Sequence, residues 1–232
     1  GYSPAEANEA YGSYTTLAIS VFALLPTLLS SVSLPLVPIL SSAISKGERG
    51  TEHKMIELSY RINSLIAIPS SIGITLFAEP ILSLLFGAES QAVETAAPLL
   101  SLLGISVFLS CMITATNSVL HAYREVKKPI YSTLAGLIAK GIAAYILIGI
   151  PSIGLWGAPI SSFFCNAVIV LLNMYFVSKF CDTLDIKSLF LHPTLLSVFA
   201  VGIAYGEFLL MCQKFGENTL TVLIPIATAV LL

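Results

Sequence analysis

The stretch LAGLIAKGIAAYILIGIP, Leu134–Pro151, is apolar almost throughout yet carries Lys140 near its middle. Its length suits a helix crossing most of the ~30 Å hydrocarbon core of a bilayer. On a helical wheel, Ala135, Gly136, Ala139, Lys140, Ala143 and Ala144 fall on one half, and Leu134, Leu137, Ile138, Ile142, Tyr145 and Ile148 crowd the other. Small residues let helices approach closely, so the small half is expected to face protein. Lys140 is then directed at the bundle interior or a wet cavity, too deep for its stem to reach the interface easily. A charge at that depth costs about 2.5–3.5 kcal/mol on insertion scales, so something must offset it. Three alternatives stay open. The first is a structural ion pair with Glu79 or Glu207, the deepest carboxylates. The second is contact with an anionic substrate, and the third is a neutral lysine of lowered pKa.

The rest of the chain has the same character. Of 232 residues, 56% are hydrophobic and 10% charged, and the mean hydropathy is +0.91. A soluble domain carries about 25% charged residues, so the bilayer is the expected solvent. Seven apolar segments run over roughly 12–42, 58–86, 96–121, 129–150, 155–178, 193–212 and 218–232. Each but the last is long enough to span. None shows the strict alternation of a barrel strand, and helices satisfy their own backbone in lipid. The fold class expected is therefore all-α, a polytopic transmembrane helix bundle.

The connections hold most of the charge. KGERGTEHK (46–54) and HAYREVKK (121–128) carry three Lys or Arg each, and KFCDTLDIK (179–187) carries two. GAESQAVE (87–94) and PSIGLWG (151–157) carry none, and QKFGEN (213–218) carries one. Basic residues thus alternate between sides, which puts the first three loops in the cytoplasm and residues 1–11 outside. Such loops are too short for a soluble catalytic domain. The start at Gly1 shows no basic leader with a cleavage site, and the end at Leu232 interrupts an apolar run. The expectation is a piece of a longer protein without a signal peptide.

The first segment carries Pro26, Pro35 and Pro38 among several Ser and Thr residues. Proline removes an intrahelical bond, so kinks are expected at these three positions, either as a moving, cavity-lining element or as a merely bent packing helix. Arg61 and Asn63 lie near the start of the second segment, where Arg61 can snorkel to the interface. Asn117, Asn166 and Asn173 are placed to hydrogen-bond between helices. Glu79, before Pro80, suits a turn or interfacial cap. The four cysteines lie singly and His53, His121 and His192 are dispersed, so no metal site, disulfide framework or cofactor is expected. Nucleotide-binding, zinc-protease and hydrolase motifs are absent, and the basic loops lack aromatic interleaving, which argues against nucleic acid.

Four stretches carry a family resemblance. YGSYTTLAISVFALLPTLLSSVSLPLVPILSSAISKGE (11–48), AIPSSIGITLFAEPILSLLFG (67–87), NSVLHAYREVKKPIY (117–131) and IGIPSIGLWGAPISSF (148–163) follow one another in order. Together they resemble the second lobe of stage V sporulation protein B and its relatives. These are polysaccharide-type flippases in the superfamily of lipid II flippases and multidrug and toxic compound extrusion transporters. The resemblance implies a fourteen-helix protein of two six-helix lobes plus two further helices. Residues 1–187 would supply about five spans of the second lobe, and 188–232 two further helices, the last truncated. It implies flipping of a lipid-linked oligosaccharide on a polyprenyl pyrophosphate across the bacterial plasma membrane by alternating access. The implied partners are that lipid-linked glycan, membrane lipid, a coupling ion and the missing N-terminal lobe. The protein would be a transporter in cell-wall or polysaccharide synthesis and not an enzyme. Given an anionic headgroup, Lys140 becomes the first candidate contact, with Arg61, Asn63 and Asn117 behind it. The alternatives are a cation-coupled drug exporter, which an acidic cavity lining would favour, and a non-transporting scaffold for cell-wall enzymes. A membrane-embedded transferase fits less well, for want of paired inward carboxylates.

Overall fold

The computed structural model describes residues 4–87, 91–150, 153–180 and 186–215, together with Ile224, Pro225 and Thr228. All described secondary structure is helical. The elements are α1 (Pro4–Ser13), a π-type stretch (Tyr14–Ala18), α2 (Ile19–Ser33), α3 (Leu36–Lys46), α4 (Arg49–Leu76), α5 (Ala78–Phe86), α6 (Gln91–Ala122), α7 (Lys127–Ile148), a 3-10 turn (Gly154–Trp156), α8 (Gly157–Val177) and α9 (Ile186–Phe215). Asn8–Ser33, Gln91–Ala122, Lys127–Ile148 and Gly154–Val177 are each long and apolar enough to cross a membrane, and α4 with α5 makes a fifth if the bent pair counts as one span. The chain is a multi-pass helical membrane protein. In α9 the described apolar stretch is Leu196–Met211. Of the expected last span, 218–232, all but three residues lie outside the described part.

Two expected continuous segments are broken, and proline explains both. Segment 58–86 bends by 81° between α4 and α5. Pro80 has no N–H for the carbonyl of Leu76 and its ring crowds that same carbonyl, so the helix gives way at Leu76–Phe77. Phe77 leaves helical geometry at φ −106° and ψ 22°. Its ring then fills the elbow edge-on against Tyr205 and Phe208 of α9, with centroids 5.8 Å and 5.3 Å away. Segment 12–42 likewise separates into α2 and α3 at Leu34–Pro35. Pro35 caps α3 and Pro38 lies in its first turn, where no amide donor is needed. Pro26 stays inside the continuous α2, as Pro69 does in α4 and Pro98 in α6.

Helix α6 is the axis of the bundle. It packs against α2, α3, α4, α5 and α8, and 56% of its apolar window is buried, against 11% for the peripheral α7. One core cluster gathers Leu100, Leu103 and Val107 of α6 with Leu17, Val21, Leu29 and Leu82. A second gathers Met112, Val119 and Leu120 with Leu40, Ile56, Tyr60 and Val170. The α4–α6 seam is tight and hydrogen-bonded. Ser71 Oγ donates to the Gly104 carbonyl at 2.7 Å, and Ser101 Oγ donates to the Thr75 carbonyl at 2.6 Å. A Cβ on Gly104 would run into the Thr75 backbone.

Two helices end on left-handed residues. Gly47 (φ 70°) closes α3, and Arg124 (φ 60°) closes α6. At the second, the Arg124 amide donates to the His121 carbonyl and the Glu125 amide to the Leu120 carbonyl, both at 2.9 Å, a Schellman arrangement that usually recruits glycine. An L-residue there costs roughly 1–2 kcal/mol.

Gly104→Ala should lower stability by about 1–3 kcal/mol through overpacking, read as a lower melting temperature in detergent. Gly73→Ala, whose new Cβ meets nothing within 4 Å, should melt no lower than the parent.

Candidate functional site

Helix α7 rides on α8. A Cβ on Gly136 would strike the Ile169 side chain and come within 2.9 Å of the Cys165 carbonyl, so the two backbones touch here because glycine leaves room. Lys140 lies one turn further along the same face. Leu134, Leu137, Ile138, Ile142, Tyr145 and Ile148 are exposed, Tyr145 at 86%. Gly136 is buried, and Ala135, Ala139, Lys140, Ala143 and Ala144 are half-buried. The bulky half therefore turns away from the bundle and the small half turns in.

The ammonium of Lys140 is within electrostatic reach of Cys165. Among the described residues, no carboxylate lies within 4.0 Å of it. Glu79 is exposed in the first turn of α5, and Glu207 accepts a hydrogen bond from Thr228 Oγ1 at 2.8 Å. Neither carboxylate forms the ion pair held open above. On α8 the neighbouring turn is polar. Ser162 Oγ donates to the Ala158 carbonyl at 3.2 Å, and Asn166 Nδ2 donates to the Ser106 carbonyl of α6 at 3.4 Å.

The other candidates lie elsewhere. Arg61 is exposed on α4. Asn63 is 0% exposed, and its amide donates to Ser33 Oγ at 3.1 Å and to the Ser59 carbonyl at 2.8 Å, tying α4 to the end of α2. Asn117 is half-buried and its Oδ1 accepts from Asn173 Nδ2 at 2.8 Å; that same amide reaches Thr116 Oγ1 at 3.1 Å. Asn63 Oδ1, Asn173 Oδ1, Ser59 Oγ and Ser106 Oγ are buried with no hydrogen-bond partner among the described residues. Lys140, Arg61, Asn63 and Asn117 thus do not share one cluster. Cys111 and Cys165 are free and buried, and the side chains of Cys181 and Cys212 lie outside the described ones. Among the described residues, no three His, Cys, Asp or Glu side chains gather as metal ligands would.

Sequence reasoning missed the cluster at the basic end. Glu52, buried in the first turn of α4, accepts a hydrogen bond from the Tyr123 hydroxyl. The Tyr123 ring stacks on Phe180 with centroids 4.9 Å apart. Lys128 Nζ stands 4.0 Å from the Phe180 centroid and 3.1 Å from Glu125. These contacts join the first turn of α4, the α6–α7 connection with the start of α7, and the residues just after α8, so three basic stretches meet at one end of the bundle. The available signal was only that each held an aromatic or acidic residue among its charges.

A bundle of proline-broken apolar helices, with Lys140 half-buried on the protein-facing side of one, defines a polytopic helical membrane protein. More specifically, the chain belongs to the lipid II flippase MurJ family, whose profile matches residues 8–226. It is 26% identical over 216 residues to a probable lipid II flippase MurJ of Bdellovibrio bacteriovorus, an alignment covering 89% of this chain and 41% of that relative. The chain therefore spans about two-fifths of the length of the curated relative it matches.

The Asn117–Asn173 contact supports a double-mutant test. Replacing each by Ala, singly and together, should reveal a coupling of about 0.6 kcal/mol, with ~1.7 kcal/mol as the upper bound for such intramembrane pairs, measured from unfolding in detergent.

Proposed function

We propose that this chain is the second-lobe portion of a flippase that moves a lipid-linked oligosaccharide, carried on a polyprenyl pyrophosphate, across a bacterial plasma membrane by alternating access. Membership of the lipid II flippase family supports a lipid-linked precursor as cargo, with the protein acting as a transporter and not an enzyme. The four stretches that resemble stage V sporulation protein B support that finer kinship and an oligosaccharide as the carried group. In this reading residues 1–187 supply the second-lobe spans and 188–232 two further helices, with an N-terminal lobe completing the cavity.

The observation that carries the reading is the state of Lys140. It is half-buried on the inward half of α7, with no carboxylate within 4.0 Å among the described residues. An ammonium so placed is stabilised by an anionic headgroup, which it meets as a point charge strengthened by low local dielectric. Arg61, Asn63 and Asn117 are weaker candidates, since the two amides already hold helices together. The acidic lining that a cation exporter would want is missing from the described face of α7.

In proteoliposomes holding the full-length protein and a labelled lipid-linked substrate, Lys140→Ala should slow flipping by about ten- to a hundred-fold, the worth of one charge-assisted contact. Lys140→Arg should recover part of that loss. Normal flipping by Lys140→Ala at normal membrane abundance would remove Lys140 from the mechanism.

A further inference from the structure

The connection from α6 to α7 is held by several side-chain contacts, and two cations beside them, Arg124 and Lys127, are exposed and take no part in those contacts. Tyr123 turns inward, hydrogen-bonded to the buried Glu52 and stacked on Phe180. Lys128 also turns inward, over the Phe180 ring and paired with Glu125. Arg124 and Lys127, between them, are exposed. Among the described residues neither has a carboxylate within 4.0 Å, because Glu52 and Glu125 are engaged by Tyr123 and Lys128. Lys46 at the end of α3 and Arg49 and Lys54 in the first turns of α4, the helix whose Glu52 bonds Tyr123, are exposed as well. The neighbouring acids there are Glu48, exposed, and Glu57, half-buried, so the surface remains basic.

Arg124 is also the described non-glycine residue with positive φ. Its backbone duty, closing α6 through the two amide hydrogen bonds, is one that glycine performs with less strain. The guanidinium is not needed for that duty, and the side chain is exposed. The loop joins two helices that are each long and apolar enough to span, and the ends of such helices lie near the level of lipid headgroups. A guanidinium binds phosphate through a planar pair of donors, and the exposed lysine three residues on adds a second charge.

We infer that Arg124, assisted by Lys127, binds the phosphate of a membrane lipid at the basic end of the bundle. Two lipids carry that chemistry, an anionic phospholipid and a polyprenyl pyrophosphate. The site depends on the membrane-spanning fold alone, so its fate is separate from that of the transport reading.

The test is binding by the full-length protein in detergent. Phosphatidylglycerol, a polyprenyl pyrophosphate and, as a zwitterionic control, phosphatidylcholine are each titrated, and lipid-dependent rise in melting temperature is followed. Arg124→Gly suits the left-handed backbone, so without added lipid it should melt no lower than the parent. It should nonetheless bind the anionic lipid about fivefold more weakly, the worth of one basic residue near a charged surface. Lys127→Ala should weaken binding in the same direction, and Arg124→Lys should restore part of it. A loss confined to phosphatidylglycerol identifies a bulk phospholipid as the ligand, and a loss with the pyrophosphate identifies the carrier headgroup. Equal binding of both anionic lipids by Arg124→Gly and the parent, or an equal response to phosphatidylcholine, overturns the site.

Discussion

Inside hydrocarbon, apolar surface gains nothing by meeting apolar surface, so these helices associate where backbones can come close or a hydrogen bond can cross. Everything else in the structure depends on that constraint. At the α4–α6 seam, Gly104 admits the Thr75 backbone while Ser71 and Ser101 each donate to a carbonyl on the facing helix. At the α7–α8 seam, Gly136 lies against Ile169 and Cys165. The second contact also sets the rotation of α7 about its own axis. With Gly136 turned in, Lys140 is turned in with it, and Tyr145 and Ile148 are turned out.

The same rule accounts for the internal polar groups. Asn63 and Asn173 are buried, and each joins two helices. In water such residues would make weak glue, because solvent competes. In a span, an amide without a partner loses its hydration with nothing in return, so a neighbouring hydroxyl or carbonyl becomes worth seeking. Lys140 is the exception, an amine on the inward face with a thiol nearby and no described carboxylate to meet it. That contrast is the ground on which a substrate contact is proposed for it.

At the basic end the solvent changes and so does the bonding. A buried carboxylate, a tyrosine, a phenylalanine and a lysine knit three basic stretches together. The positive-inside pattern needs those stretches on one side, and the contacts bring them physically together. Beside those contacts Arg124 is exposed, in a backbone conformation that most side chains avoid.

The helical class, the membrane environment and the positions of most spans were legible in composition and in runs of apolar residues, because lipid permits few backbone solutions. The two halves of α7 were legible too, since small and large residues separate at helical spacing. Proline marked the break after α2, and Glu79 with Pro80 marked a turn or interfacial cap but not an 81° elbow within one span. The elbow that Pro80 causes at Phe77 became visible only with α9 in place to receive the ring. Asn117 and Asn173 could each be recognised as helix glue, but not as partners of one another, because which residues face across α6 and α8 depends on the rotation of both. Glu52 and Tyr123 lie 71 residues apart in the chain, and no local pattern announces such a pair. Local spacing thus determined what each helix is and which half it hides. Only the packed structure decided what each hidden residue meets, because meeting requires two helices to be fixed in rotation and depth at once.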